Sequence, residues 1–134
     1  KDPVRKFIEI IQTLMIQEKV KFEHKTEFKS DILGGSDGEL IGYYDDLYLY
    51  FIPQTLWHSL QQYCIREGTH FPFSKNTFYK MLKKNMVVTT DDKSTIPEWI
   101  KNKTIKVLKT YRESILEKSV RSVSDDVSIL ENTV

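Results

Sequence analysis

The sequence predicts an α+β domain, because helical and strand-like patterns alternate along its 134 residues. Three observations carry this prediction. Residues 3–17 repeat apolar side chains with the period of a helix. Residues 40–52 hold two runs rich in Tyr, Leu, Ile and Phe, which are typical of strands. Residues 53–111 then combine two helical patterns with two strand patterns, and the hydrophobic share of 40% is ordinary for one globular core.

Composition excludes several classes of protein. No apolar run approaches the roughly 18 residues of a membrane-spanning helix, and no signal peptide is recognisable. Cys64 is the only cysteine, which excludes an intrachain disulfide and a cysteine-based zinc site. Because the sequence starts at Lys1 rather than Met, we expect a piece of a longer protein, which we place in the cytoplasm.

Charge is unevenly distributed along the chain, although the net value is only +1. The balance is −3 over residues 1–52, +6 over residues 53–111 and −2 over residues 112–134. A basic block raises the chance of a phosphate-bearing partner such as DNA. A solvated lysine face is the alternative interpretation, and charge alone favours that alternative.

The N-terminal residues predict a helix and a strand ahead of the main body. Asp2 and Pro3 suit the start of a helix, whose apolar stripe would face the rest of the domain. Residues 20–23 alternate apolar and polar side chains, which predicts a short strand. We therefore assign residues 1–24 to an N-terminal helix and strand, and the glycine-rich residues 25–39 to a flexible loop.

Residues 40–112 predict the main domain. Its elements are expected in this order: a hairpin (residues 40–52), a helix (53–67), a second helix (75–85), a strand (86–90), a polar excursion (91–104) and a returning strand (104–111). The Asp45-Asp46 pair forms the turn of the hairpin, Gly68 ends the first of the two helices and Ser74 caps the second. Residues 113–134 are assigned to a C-terminal helix or tail.

Two helices followed by a β-hairpin are the order of a winged helix, here preceded by an amphipathic helix and a β-hairpin. The second helix of such a domain can enter the major groove of DNA, while the hairpin wing lies on a phosphate backbone. Asparagine can pair with adenine, and lysine with guanine or phosphate. The outward side chains of residues 75–85 and the lysines of the wing are therefore the candidate DNA-binding residues: Asn76, Tyr79, Lys80, Lys83, Lys84, Lys101 and Lys103. Lys93 is a further candidate.

Several packing and turn motifs resemble one known family. They are residues 40–44, 47–53, 63–64, 71–72, 87–88 and 106–108, with Gly68, Ser74 and Leu82. Together they resemble the C-terminal winged-helix region of primase–helicase-like ATPases from bacterial integrative elements and prophages, over about residues 2–112. The resemblance implies a parent protein with an ATPase motor, of which this piece is an accessory domain. Where that family commonly has glycine, this chain has Asn85, which tolerates a left-handed backbone.

The sequence predicts a non-catalytic, DNA-binding winged-helix domain of a replication protein of the primase and helicase type. No Gly-x-x-x-x-Gly-Lys-Ser/Thr motif is present, so this piece carries no nucleotide-binding loop. His24, His58 and His70 lie on separate predicted elements, and Cys64 lies on an apolar helix face. We therefore expect no catalytic residue, metal, cofactor, small-molecule substrate or membrane contact.

A docking or regulatory module is the alternative function. It would contact the parent ATPase ring or other replication proteins without touching DNA. Tyrosine is favoured in protein–protein interfaces, and four tyrosines stand close together in the predicted hairpin: Tyr43, Tyr44, Tyr48 and Tyr50. Packing across the two strands of that hairpin is the competing interpretation of these side chains.

Overall fold

Four helices and a six-stranded sheet make up residues 2–88 and 93–116, which are the residues that the computed structural model describes. The helices are α1 (Pro3–Ile16), α2 (Pro53–Arg66), α3 (Lys75–Asn85) and α4 (Arg112–Leu116). The strands are β1 (Val20–His24), β2 (Leu33–Gly34), β3 (Glu39–Tyr44), β4 (Tyr48–Phe51), β5 (Ile96–Ile100) and β6 (Lys103–Tyr111). The predicted α+β class is therefore observed, and the bounds of α1, α2 and α3 agree with the predicted helices to within one residue.

The sheet joins the N-terminal strand directly to the main body. Its strand order is β2-β1-β3-β4-β6-β5, with β1 parallel to β3 and every other neighbouring pair antiparallel. Residues 25–39, predicted to form a flexible loop, contribute β2 to this sheet. Gly34 permits that pairing, because its φ is +92° and a Cβ there would lie 2.4 Å from the carbonyl oxygen of Val20.

The helices cover one face of the sheet. Phe7 of α1 lies edge-on to Phe51 of β4, with ring centroids 5.7 Å apart, and to Phe78 of α3, with centroids 5.3 Å apart. All three rings are fully buried. Burial of one such side chain stabilises a fold by roughly 1.5–3 kcal/mol, so this junction of α1, α3 and the sheet is a main source of stability.

The β5–β6 hairpin curls over the opposite face of the sheet. Ile100 and Val107 pack there against Tyr43 and Tyr50, in a cluster separate from the one under the helices. The tip of the hairpin reaches the end of β1, because the backbone N–H of Lys101 donates to the carbonyl oxygen of Lys25 at 2.9 Å. The hairpin is thus a second covering layer.

The position of this hairpin corrects the predicted strands. β5 lies inside the residues expected to form a polar excursion, whereas Met86 is the C-cap of α3 and Val87 makes an isolated bridge with Thr110. The remainder of the predicted strand at residues 86–90 extends outside the described residues. β5 tolerates Pro97 because it is an edge strand and one side of its backbone needs no partner.

A predicted turn and a predicted helix end are also observed in the described residues. The Asp45-Asp46 pair lies in the turn between β3 and β4. Gly68 follows α2 with φ +72°, a left-handed conformation that glycine adopts without strain. α4 begins the predicted C-terminal helix, and residues 117–134 lie outside the described part.

No described helix has both the length and the hydropathy needed to cross a bilayer.

Candidate nucleic-acid interface

α3 is fixed at its start and along its inner face. The Ser74 hydroxyl accepts a hydrogen bond from the backbone N–H of Thr77 at 3.3 Å, which satisfies one donor of the first turn. Phe78 and Leu82 are fully buried against α1 and α2. This anchoring leaves the opposite face of α3 turned outward on a rigid support.

The outward face of α3 forms one wall of an open groove of about 720 Å³. Its lining comes from α3 and from the residues just before β5: Asn76, Tyr79, Lys80, Lys83, Lys84, Lys93, Ser94 and Thr95. Asn76, Lys80 and Lys84 are exposed, and Lys83 is half-buried. We call this surface the α3 groove. It brings together all five residues that sequence analysis selected on this helix.

The α3 groove is rich in cations. The sequence contains no acidic residue from Gly68 to Thr90. Within residues 2–88 and 93–116, no carboxylate is within 4.0 Å of the ammonium groups of Lys80, Lys83 or Lys84. A concave surface lined by one sign of charge concentrates its electrostatic field and attracts an oppositely charged partner.

Tyr79 lines the α3 groove and also holds the helix in place. Its hydroxyl donates to the carbonyl oxygen of Pro53 at 2.8 Å, and its ring packs on Trp57 and Phe78. Burial raises the pKa of Tyr79 to about 12. A helical wheel places Tyr79 among the outward residues, but its long side chain reaches back to the start of α2.

Asn85 also differs from expectation. It is absent from the described residues with positive φ, so it does not adopt the left-handed conformation suggested for it. Its side-chain amide instead donates to the carbonyl oxygen of Met81 at 2.7 Å, one turn earlier. The residue ends α3 through this bond to the helix backbone.

Lys101 and Lys103 lie at the far end of the β5–β6 hairpin from the α3 groove. Thr95 and Lys101 are separated by the length of β5, about 20 Å for an extended strand. The ammonium of Lys101 donates to the carbonyl oxygen of Glu27 at 3.1 Å and lies 4.1 Å from the ring centroid of Phe28. The structure therefore separates the predicted cations into two groups. Among the candidate lysines outside α3, Lys93 is the one that lines the α3 groove.

Sequence analysis missed two polar members of the α3 groove. Ser94 and Thr95 follow Lys93 in a segment that carries no periodicity, so no pattern marks them as facing a helix. Their hydroxyl groups add hydrogen-bonding capacity opposite the lysines of α3.

A polar network holds the inner side of the β5–β6 hairpin on the sheet. Glu98 accepts from Lys25 at 2.9 Å and from Lys109 at 3.3 Å, and its side chain is only 16% exposed. Partial burial alone would raise the pKa of Glu98, but these two hydrogen bonds outweigh it and hold the pKa below its usual value. Tyr50 donates to Asp45 at the edge of the same network.

The tyrosines proposed as a docking surface belong to the core. Tyr43 and Tyr44 are each 8% exposed and Tyr50 is 1% exposed, while Tyr48 is half-buried. Cross-strand pairing places Tyr43 opposite Tyr50. The competing interpretation, packing within the hairpin, is therefore the correct one for most of these side chains.

The histidines and the cysteine belong to no cluster of potential metal ligands within residues 2–88 and 93–116. No group of three or more His, Cys, Asp or Glu side chains that could hold a metal ion occurs there. Cys64 is buried on the inner face of α2, as a packed thiol.

Comparison with known proteins gives one match. Residues 43–122 match the family described as poxvirus D5 protein-like, a stretch that begins in β3 and includes α2, α3 and the β5–β6 hairpin. The search of curated proteins and that of solved structures both give no match. The family match supports a domain related to primase- and helicase-type replication proteins, which is the broader content of the resemblance seen in the sequence. Because it spans more than half of the residues, the chain belongs to the poxvirus D5 protein-like family.

Proposed function

We propose that this chain is a non-catalytic DNA-binding domain of a primase- or helicase-type replication protein, and that α3 contacts duplex DNA. The observation that carries the proposal is the α3 groove, where one asparagine and four lysines line a single concave surface. Helix faces of this kind combine base-edge donors with phosphate-binding cations, as readout of a major groove requires.

The order of elements supports a winged-helix arrangement. α2 and α3 are consecutive, and the β5–β6 hairpin follows them in the chain. Phe71 in the connection between the helices lies edge-on to Phe78, with centroids 4.9 Å apart, so the connection is packed rather than loose. This hairpin curls over the sheet and so differs from the projecting wing of a winged helix. The part that lies beside α3 is the segment just before the hairpin, Lys93 to Thr95.

The positions along α3 suggest separate roles. Asn76 lies in the first turn, and the N-terminal residues of a recognition helix are those that reach base edges. Lys80, Lys83 and Lys84 lie farther along and would contact phosphates, together with Lys93 from the other wall. Three to five such contacts predict that the binding constant falls with salt at a log–log slope of roughly −3 to −4.

Fluorescence anisotropy with a labelled DNA duplex tests this proposal. The double variant Lys80→Glu/Lys83→Glu should lose duplex binding, since it places two negative charges where phosphates would lie. The matched control is Lys6→Glu/Lys19→Glu, which reverses two exposed lysines outside the groove and should bind nearly as the parent chain does. Equal binding by the two double variants, with unchanged melting temperatures, would reject the groove model.

The docking alternative has less support, because most of its proposed tyrosine surface is buried. It makes a distinct prediction in the same experiment. Association of the domain with a replication protein that is insensitive to salt, without any binding to DNA, would favour docking over our proposal.

A further inference from the structure

The β5–β6 hairpin presents a second surface on the side turned away from the sheet. Cross-strand register pairs Trp99 with Thr104 and Pro97 with Lys106. Side chains of paired residues share one face of a hairpin, and residues two apart along a strand share it too. All four of these residues are exposed. We call them the outer face of the hairpin.

The charge of this outer face is positive. The one acidic residue of the hairpin, Glu98, points to the inner side, where Lys25 and Lys109 bind it. Lys106 lies on the outer face, Lys101 lies in the turn, and Lys103 pairs with Ile100 at the tip of the hairpin. The carboxylate of Glu27, from the adjoining segment, accepts a hydrogen bond from Ser30 rather than from any of these lysines. The hairpin therefore keeps its one acid on the inner side, paired with Lys25 and Lys109, and leaves Lys106 without a described acidic neighbour on the outer face.

Two large aromatic side chains are exposed, Trp99 on the outer face and Phe28 in the segment that meets the tip of the hairpin. Trp99 is 58% exposed and Phe28 is 72% exposed, and the ammonium of Lys101 lies over the Phe28 ring. Neither ring belongs to either buried cluster. Exposed aromatic rings bordered by lysines are the arrangement on which unpaired bases stack while cations contact the backbone.

We propose that the outer face of the hairpin binds single-stranded DNA. Trp99 stacks on a base, Lys106 contacts the neighbouring phosphate, and Lys101 and Lys103 supply further positive charge at the tip. Bases inside a duplex are stacked on one another and cannot use such a platform, so this surface selects unpaired DNA. This proposal rests on the proposed function only in that both assign the domain to DNA binding. The two surfaces are separate, because the α3 groove lies at the other end of β5.

Tryptophan fluorescence gives a direct readout of this stacking. The chain has two tryptophans, Trp57 and Trp99. A Trp57→Phe variant keeps an aromatic ring in the contacts with Phe71 and Phe78 and leaves Trp99 as the only indole. Titration with an oligo(dT) probe of about 16 nucleotides should quench its emission. The matched variant Trp99→Phe, which retains only Trp57, should show no quenching.

Anisotropy with the same labelled probe measures the affinity. Trp99→Ala should weaken binding of oligo(dT) about tenfold or more, because stacking of one base contributes roughly that factor. The control Ile65→Ala removes an apolar side chain that is 61% exposed on α2 and should leave oligo(dT) binding unchanged. Duplex binding should be equal in the parent chain and in Trp99→Ala.

The outcomes separate this inference from the proposed function. Unquenched Trp99 emission at saturation, or equal oligo(dT) affinity of the parent chain and Trp99→Ala, would overturn the hairpin site. A chain that binds duplex but no oligo(dT) would overturn it as well, while the α3 groove would stand. Loss of oligo(dT) binding in Trp99→Ala, with duplex binding lost only in Lys80→Glu/Lys83→Glu, would establish two surfaces.

Discussion

The α3 groove and the inner side of the β5–β6 hairpin use lysine in opposite ways. In the groove, Lys80 and Lys84 are exposed, and no described carboxylate lies within 4.0 Å of them. Under the hairpin, Lys25 and Lys109 share Glu98, and their side chains are only 22% and 17% exposed. The first group is available to a partner, and the second is bound to the fold.

This contrast shows why a count of charges does not locate a binding surface. The basic block of residues 53–111 contains lysines of both groups. Lys109 holds a hairpin on the sheet, whereas Lys83 lines the α3 groove. The contacts of each lysine in the folded chain show whether it is paired within the fold or exposed to a partner. The two regions should therefore respond differently to mutation, and this difference can be measured.

Glu98→Gln should have the largest effect on stability. The substitution removes the charge that Lys25 and Lys109 share, and leaves two half-buried ammonium groups without a carboxylate partner. We expect a loss of about 2–3 kcal/mol in the free energy of unfolding. Denaturant titration measures it. The control Glu9→Gln breaks the exposed pair with Arg5 and should cost less than about 0.5 kcal/mol. Equal losses in both variants would contradict a structural role for the Glu98 network.

The same network should make stability depend on pH. Two hydrogen bonds hold the pKa of Glu98 in the folded chain below 4.5, the value of an unperturbed glutamate. The stability that ionised Glu98 contributes is therefore fully present above pH 4.5 and is lost as the pH falls through the lower folded value. The difference in melting temperature between the parent chain and Glu98→Gln should shrink over that range. A constant difference from neutral to strongly acidic pH would contradict the assignment.

Tyr79→Phe should have a smaller effect, confined to stability. It removes the hydrogen bond to the carbonyl oxygen of Pro53 and keeps the ring against Trp57 and Phe78. We expect a loss of about 1 kcal/mol. Duplex affinity should stay within about twofold of the parent chain, as expected for a side chain that supports α3 from within. A large loss of affinity without a loss of stability would show instead that the Tyr79 hydroxyl contacts DNA.

Much of the fold could be predicted because its signals are local. The Asp2 and Ser74 caps, the prolines at the starts of α1 and α2, and Gly68 fix the helix ends through bonds between near neighbours. The apolar periodicity of α3 likewise identified Phe78 and Leu82 as buried.

What the sequence could not provide depends on contacts between distant residues. β5 contains Pro97, and its pairing with β6 is visible only once the chain turns back at Lys101 and Asn102, which both have positive φ. The curl of the hairpin depends on Ile100 and Val107 meeting Tyr43 and Tyr50. Because sequence spacing contains no information on that curl, it could not show that Lys101 and Lys103, predicted to lie on the wing, are at the far end of the hairpin from α3.

Salt dependence of duplex binding tests the central claim most directly. The parent chain should show a log–log slope of roughly −3 to −4, and Lys80→Ala/Lys83→Ala should reduce its magnitude by about 2, since each lysine that contacts a phosphate contributes about one. The double variant should unfold within about 0.5 kcal/mol of the parent chain, because alanine favours a helix and neither ammonium group has a described carboxylate partner. A slope that is the same in both proteins would contradict the assignment of these lysines to DNA.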